Sequence, residues 1–280
     1  VDTTAPTFTT SPADVTVQCS ASTAPSATGT AVASDNCDDD VTVSYADTTV
    51  AGTGNNSVIT RVWTATDDNS NSATYTQTIT VVDTTAPVAD ELTLEDITAE
   101  CSVETLIVPS ATDNCAGLKR GETSTVFPIT SQGTTVVTWT FTDDNGNTTT
   151  QTQNVIIDDT TAPSFTTSPA DVTVECSASS EPSATGMAAA IDNCDTSVTI
   201  TYADTTEAGL GNNSVITRVW TATDDNSNSA TYTQTITVVD TTAPTFTTSP
   251  ADVTVECSAS TAPSATGTAV SGDSTATVSY

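Results

Sequence analysis

Three stretches of this chain place oxygen-bearing side chains at every second position. Asp67, Asn69 and Asn71 stand two apart, as do Asp143, Asn145 and Asn147, and again Asp224, Asn226 and Asn228. Asp68, Asp144 and Asp225 add a second carboxylate to each stretch. Carboxylates and amides alternating in a tight loop suit Ca²⁺, which takes about six to eight oxygen ligands from carboxylates, amides and carbonyls. The rival reading is a plain hairpin turn, because Asn145-Gly146 is a common two-residue turn pair. The EF-hand spacing is not met.

The other candidates are sulfur. The seven cysteines are Cys19, Cys37, Cys101, Cys115, Cys176, Cys194 and Cys257. The chain has no His and no Cys-x-x-Cys, which weighs against zinc. Their regular recurrence reads as disulfides formed in an oxidising, extracellular setting. One pair in each repeat predicts the bonds Cys19–Cys37, Cys101–Cys115 and Cys176–Cys194, each closing a short loop for about 3 kcal/mol in the chain-entropy model. Cys257 has no partner of this kind. A straight strand down from Cys19 and another back would leave Cys37 at the far end, so the chain between them must fold back. Buried free thiols are the alternative.

The chain that must hold these residues is periodic. Asp-Thr-Thr-Ala-Pro starts at Asp2, Asp83, Asp159 and Asp240, at intervals of 81, 76 and 81 residues. The stretch Thr64–Pro87 recurs letter for letter at Thr221–Pro244, and a looser copy fills Thr140–Pro163. This gives modules at 1–82, 83–158 and 159–239, and a fourth, incomplete one at 240–280. Modules of this size bury modest cores and often rely on cross-links or metal.

Within module one, Asp14–Cys19 alternates with Val15, Val17 and Cys19 on one face, which predicts a strand. Ser20–Thr28 reads as a loop, and Gly29–Ala33 as a short strand leading into Asp35-Asn36-Cys37. Val41–Tyr45 alternates again, and Ala51–Ser57 is a turn by composition. Val58–Thr66 and Thr74–Val82 form the closing hairpin, with Trp63 as the central aromatic faced by Ile79 and Val81. Arg61 either shares the face of Trp63 and stacks on its ring or takes the other face. Module two predicts strands at Leu92–Cys101, Leu106–Val108, Thr123–Phe127, Thr134–Thr142 and Thr148–Ile157. Module three repeats module one at an offset of 157 residues. Module four has Gly272-Asp273-Ser274 where Asp-Asn-Cys is due and stops before a closing hairpin. Its sheet edges are therefore expected to stay open or to be completed from elsewhere. No stretch shows useful helical periodicity, so the fold class is all-β: tandem immunoglobulin-like β-sandwich modules in an elongated array.

In such a sandwich the linker leading in, the loop after the second strand and the last hairpin turn share one end. Three acidic groups then meet at each joint. They are Asp2, Asp35 and Asp67 with Asp68 and Asn69 in module one. In module two they are Asp83, Asp113 and Asp143 with Asp144 and Asn145. In module three they are Asp159, Asp192 and Asp224 with Asp225 and Asn226. Gathered carboxylates repel one another unless a cation sits among them, so Ca²⁺ is the expected cofactor. A solvated acidic rim that only keeps the chain soluble is the alternative.

Net charge is -31, with Arg61, Lys119, Arg120 and Arg218 as the only basic side chains. That sets aside nucleic acid and anionic membrane surfaces as partners. No long apolar run predicts a membrane helix, and the absence of a signal peptide reads as a mature or internal segment. Catalysis is not expected. No His can act as base, and the carboxylates sit in repeated turns rather than in one cleft.

Asp113-Asn114-Cys115, Phe127-Pro128, GTTVVTWTFTDDNGN at Gly133–Asn147 and VIIDDTTAP at Val155–Pro163 resemble the hyalin repeat, HYR. The whole chain is similar to the tandem HYR-like repeats of long surface adhesins in Bacteroidota. Modules one and three depart from the pattern by lacking Phe-Pro and by having Ser70 where module two has Gly146. The resemblance implies an extracellular stalk segment, made rigid by Ca²⁺ and disulfides and touching neighbouring repeats. It names no ligand, and the last strands here carry none of the cysteines found in many eukaryotic members. A glycan-binding module and a filament subunit joined by strand complementation are the other two readings. The resemblance also implies O-glycosylation at the Asp-Thr-Thr hydroxyls of Thr3, Thr48, Thr84, Thr160, Thr205 and Thr241. The alternative for these is a turn residue bonding its own backbone.

Overall fold

A computed structural model describes residues 1–272 and 276–279. The Asp273-Ser274 part of the module-four reading lies outside the described residues. The chain divides into two compact units, Val1–Asp158 and Asp159–Tyr280.

Unit one carries two repeats. The first contains β1 (Thr7–Thr10), β2 (Val15–Gln18), the single-turn α1 (Pro25–Thr28), β3 (Val32–Ser34), β4 (Thr42–Ala51), β5 (Ser57–Thr66) and β6 (Ser72–Val82). One sheet runs β2-β6-β5-β4 and the facing ribbon is β1-β3. All pairings are antiparallel except β2 on β6. Period-two alternation sends Ile59, Arg61, Trp63 and Ala65 of β5, and Asp67 just beyond it, to the buried face.

That face has two halves. Ile59, Ile79 and Val81 form an apolar cluster with Val15, Val17 and Cys19. Trp63 is not part of it. It lies beside Tyr45, at a ring separation of 5.3 Å, and donates to Gln77 Oε1 at 3.4 Å. Arg61 shares its face and is 1% exposed. The guanidinium takes a bidentate grip on Asp47, with Nε–Oδ1 and Nη2–Oδ2 both 2.8 Å, and donates to Thr28 Oγ1 and Thr23 O at 3.0 and 2.8 Å. Its carbon sits 4.6 Å from the Tyr45 ring centroid and 5.7 Å from that of Trp63. Gln77, wholly buried, donates to Ala13 O and Thr28 O.

The second repeat contains β7 (Val88–Ala89), β8 (Ile97–Ala99), β9 (Ser110–Asp113), β10 (Gly117–Arg120), β11 (Gly133–Thr142) and β12 (Thr148–Ile157). Its sheets run β11-β12-β8 and β10-β9-β7. Val137, Trp139, Phe141, Val155, Ile157, Val103, Ala111 and Ile129 close its core. The strands expected at Leu106–Val108 and Thr123–Phe127 do not form, and Leu92–Cys101 shrinks to β8. Those segments run as loops, with Leu92, Ile107 and Val126 exposed. The isolated bridges Val103–Ile129 and Glu122–Thr140 flank them, and Leu94, Leu106 and Phe127 pack against the core.

Unit two contains β13 (Ser164–Thr167), β14 (Val172–Glu175), α2 (Pro182–Thr185), β15 (Ala189–Ile191), β16 (Thr199–Ala208), β17 (Ser214–Thr223) and β18 (Ser229–Val239). These are followed by β19 (Phe246–Thr248), α3 (Pro263–Thr266) and β20 (Val270–Ser271). The order β14-β18-β17-β16 over β13-β15 repeats the first design, down to Arg218 on Asp204. In the fourth repeat β19 pairs β20. Its Asp252–Cys257 lies in no ladder, although the same letters, DVTVEC, make β14 in the third, where β18 is the parallel partner.

Candidate metal centres at the repeat joints

The hairpin turns are not two-residue turns. Such a turn needs positive φ at both central residues, yet Gly146 is left-handed (φ 89°) and Asn145 is not. Instead Asp143 N donates to Asn147 O and Gly146 N to Asp143 O. The loop is closed by the Asp143 side chain, whose Oδ1 accepts from Asn145 N and Asn147 N at 2.8 Å each and whose Oδ2 accepts from Asn147 Nδ2 at 2.6 Å. Burial pushes this carboxyl up, but the hydrogen bonds from Asn147, Asn145 and Gly146 outweigh that and hold it below the ordinary carboxylate value. Asn147 therefore serves the turn and not a ligand.

The same amide ties the turn to the linker, since Asn147 Nδ2 also donates to Asp83 O at 3.3 Å. Asn71 reaches Asp2 O and Asn228 reaches Asp159 O in the same way. The linker Asp and the turn thus share one end of each repeat, as expected from the sandwich. Asp113 closes the third side. Its Oδ1 accepts from Cys115 N and Ala116 N at 2.8 and 2.7 Å.

What remains at each joint is a set of buried oxygens that accept nothing. Asp83 and Asp113 are 5% and 3% exposed, and their Oδ2 atoms have no hydrogen-bond partner; neither does Asn145 Oδ1. In the third repeat the Oδ2 atoms of Asp192 and Asp224 are alike, and in the first that of Asp35. A buried carboxylate oxygen without a donor is costly. The convergence is tightest in unit two, where carboxylate oxygens of Asp159, Asp192, Asp195 and Asp224 all lie within 4.8 Å of one another. In the first repeat Asp2, Asp38, Asp67, Asp68, Asn69 and Cys37 line a cavity of about 170 Å³.

Some expected ligands are open to solvent, though Asp68 and Asn69 still line that cavity. Asp68, Asn69, Asp144 and Asp225 are exposed and Asn226 is half-buried. Asp144 is engaged by Lys119 at 2.5 Å. Two residues absent from the sequence reading belong inside, Asp38 and Asp195. The signal for them was the acid that directly follows Asp-Asn-Cys.

The cysteines require a correction. Neither Cys19–Cys37 nor Cys101–Cys115 forms, because Cys19 is bonded to Cys115 across the joint between repeats one and two, with Cα atoms 5.9 Å apart. Cys19 ends β2 beside Val82 O, at the trailing end of its repeat, whereas Cys37 sits at the leading end with Asp2 and Asp35. The loop between them does not fold back. Cys37 is an exposed free thiol. Cys101 and Cys194 are disulfide-bonded, and Cys176 is not the partner of Cys194. Cys257 is free, as expected. Around the Cys19–Cys115 bond, Asn55 Nδ2 donates to Cys115 O, Asn114 Nδ2 to Ser20 Oγ, and Asn145 Nδ2 to Asn56 Oδ1, which also accepts from Asp83 N. The six Asp-Thr-Thr hydroxyl residues are all exposed. Thr84 accepts from Gln18, and the Thr241 hydroxyl donates to Glu175.

These features define a class: an all-β chain of tandem sandwich repeats with acidic joints, at least one of them cross-linked. The chain belongs to the HYR-like domain family described as having 4 cysteines, whose model matches residues 7–81 and 164–238. Each matched stretch here holds two cysteines, Cys19 and Cys37 or Cys176 and Cys194. No curated protein matches. Among solved structures the chain is similar to Drosophila N-cadherin EC1-3 (14% identity, 82% of this chain and 99% of that one, TM-score 0.28). It is also similar to mouse cadherin-23 EC22-24 (13%, 84% and 99%, 0.31) and mouse clustered PcdhgC3 EC1-3 (12%, 66% and 77%, 0.29). Among the described residues no helix is long and apolar enough to cross a membrane.

Proposed function

We propose that this chain is a non-catalytic stalk segment of an extracellular adhesin, with modules at 1–82, 83–158, 159–239 and 240–280 whose joints bind Ca²⁺. The observation that carries the reading is the set of buried, unpartnered carboxylate oxygens at the joints, typified by Asp224, whose Oδ2 has no hydrogen-bond partner and one of whose oxygens lies within 4.8 Å of those of Asp159, Asp192 and Asp195. A hard divalent cation satisfies such oxygens and cancels their repulsion. Asp83, Asp113, Asp143 and Asn145 would hold it in module two, Asp2, Asp35 and Asp67 in module one, and Asp159, Asp192 and Asp224 in module three. The cation supplies charge neutralisation and cross-bridging of linker to turn. Exposed Thr48 and Thr205, with the other Asp-Thr-Thr hydroxyls, are the proposed glycan acceptors, which the intact mass of secreted protein would reveal.

The test is thermal melting and small-angle scattering in millimolar Ca²⁺ against chelator. Binding stabilises the fold by mass action, by about 2.7 kcal/mol per site at a hundredfold excess over Kd. Asp83→Asn with Asp143→Asn is expected to remove that gain at one joint and spare the others. If neither the melting temperature nor the maximum dimension responds to Ca²⁺, the turns are only solvated turns. A second reading, a filament subunit completed by a neighbour's strand, draws on Asp252–Cys257, which pairs with nothing among the described residues. Mass photometry showing defined multimers would favour it.

A further inference from the structure

Asp195 holds a place that the turn-and-linker scheme does not explain. Its carboxylate lies within 4.8 Å of those of Asp159, Asp192 and Asp224, and its Oδ2 accepts from Asp225 N at 2.9 Å. Asp38 does the same in the first repeat, accepting from Asp68 N at 2.8 Å and lining the cavity with Asp2 and Asp67. The same attachment in two copies shows a built position at the joint: a carboxylate whose Oδ2 fastens the hairpin turn, the Oδ1 of Asp38 also accepting from Asp40 N at 2.9 Å. The second repeat departs from this. Ala116 stands there, with no side-chain oxygen, and its N–H donates to Asp113 Oδ1. On β10, which follows, Lys119, 14% exposed, sets its ammonium against Asp144.

The formal charges differ accordingly. Asp159, Asp192, Asp195, Asp224 and Asp225 give -5 in the third repeat. Asp83, Asp113, Asp143, Asp144 and Lys119 give -4 + 1 = -3 in the second. Ligand charge count tunes Ca²⁺ affinity in oxygen sites of otherwise similar build. The environment supports occupancy independently of the charge, since Asp224 is 6% exposed with Oδ2 unpartnered.

We propose that Asp38 and Asp195 are affinity-determining ligands, so that repeats one and three carry tight Ca²⁺ sites and repeat two, through Ala116 and Lys119, a weaker one. The chain then fills its joints in two steps as Ca²⁺ rises. This rests on the Ca²⁺ reading above and adds the order of filling.

Calorimetric titration of the full chain with CaCl₂ reads it. Two affinity classes are expected, separated by roughly tenfold or more, the spread that ligand charge produces between related sites. Asp38→Ala and Asp195→Ala each move one site from the tight class to the weak. The double variant Ala116→Asp with Lys119→Ala moves the repeat-two site the other way. That is a gain no misfolded variant can mimic. A single affinity class, or a double variant with unchanged affinities, overturns the grading while leaving Ca²⁺ binding intact. No heat at any site overturns the Ca²⁺ reading itself.

Discussion

At the residue scale, the strongest single interaction in the first repeat belongs to a charge in the core. Arg61 is 1% exposed, and its guanidinium donors are taken by Asp47, Thr28 and Thr23. Removing one partner of a buried pair leaves polar groups stranded and costs about 3–5 kcal/mol. A small β-sandwich has little stability to spare. Arg61→Ala is therefore expected to unfold the first repeat selectively in urea, with Arg218→Ala doing the same in the third. Arg61→Lys should not rescue either, because an ammonium cannot reproduce the bidentate fork. The hydrogen bonds from Arg61 hold the Asp47 carboxyl below its ordinary value. A depressed folded pKa contributes stability that is complete above the unfolded value, about 3.9. It is lost as pH falls through the lower folded value. Acid unfolding of Asp47→Asn is expected to show less pH dependence below about pH 4 than the parent. The sequence left the face of Arg61 open, and the structure puts it with Trp63, two positions on. What period-two reading could not supply was the partner, because Asp47 comes from the neighbouring strand and Thr23 and Thr28 from a loop.

At the scale of elements, long alternating strands were legible and short ones were not. The hairpins β5–β6, β11–β12 and β17–β18 fall where alternation puts them, since each carries its own partner one turn away. Asp14–Cys19 and Asp252–Cys257 show the other case. Near-identical letters make a strand only where a last strand lies alongside, so the pairing decides and not the propensity. The turns carry a testable strain. Ser70 and Ser227 occupy the left-handed region, at φ 69° and 74°, where the second repeat has Gly146. A non-glycine there costs on the order of 1 kcal/mol. Ser70→Gly is expected to raise the stability of the first repeat by about 0.5–1 kcal/mol in denaturant, and Ser227→Gly that of the third. An unchanged midpoint would mean that the Asp67 and Asp224 side chains already absorb the strain.

At the scale of the whole molecule, the cysteines show what repetition hides. One pair per repeat is equally compatible with bonds inside repeats and with bonds shifted by one repeat. Counting is blind to that shift. The choice falls to geometry: β2 runs to the trailing end, and Asp-Asn-Cys lies at the leading end. The acidic joints were legible because all three contributors carry the same residue type in every copy. Asp38 and Asp195 were not, because their copy in the second repeat is Ala116. Non-reducing peptide mapping is expected to recover a Cys19–Cys115 peptide and no Cys19–Cys37 peptide. Closing a loop on the order of 100 residues stabilises by about 4.7 kcal/mol in the chain-entropy model. Cys115→Ala should thus lower the melting temperature and let repeats one and two melt apart.

The bond between Cys19 and Cys115 also reroutes tension. A load applied along the polypeptide enters before Cys19, crosses the sulfur bridge and leaves after Cys115. Residues 20–100 carry none of it, whereas Cys101, itself disulfide-bonded, can pass load onward. Their hairpin β5–β6 can lose its hydrogen bonds without lengthening the molecule. Single-molecule pulling is expected to find at least roughly 270 Å of contour, at about 3.4 Å per residue, that stays hidden under oxidising conditions and is released once a thiol reductant is added. The joint sets how far this part of the chain can stretch, and redox conditions, more than fold stability, decide when it does.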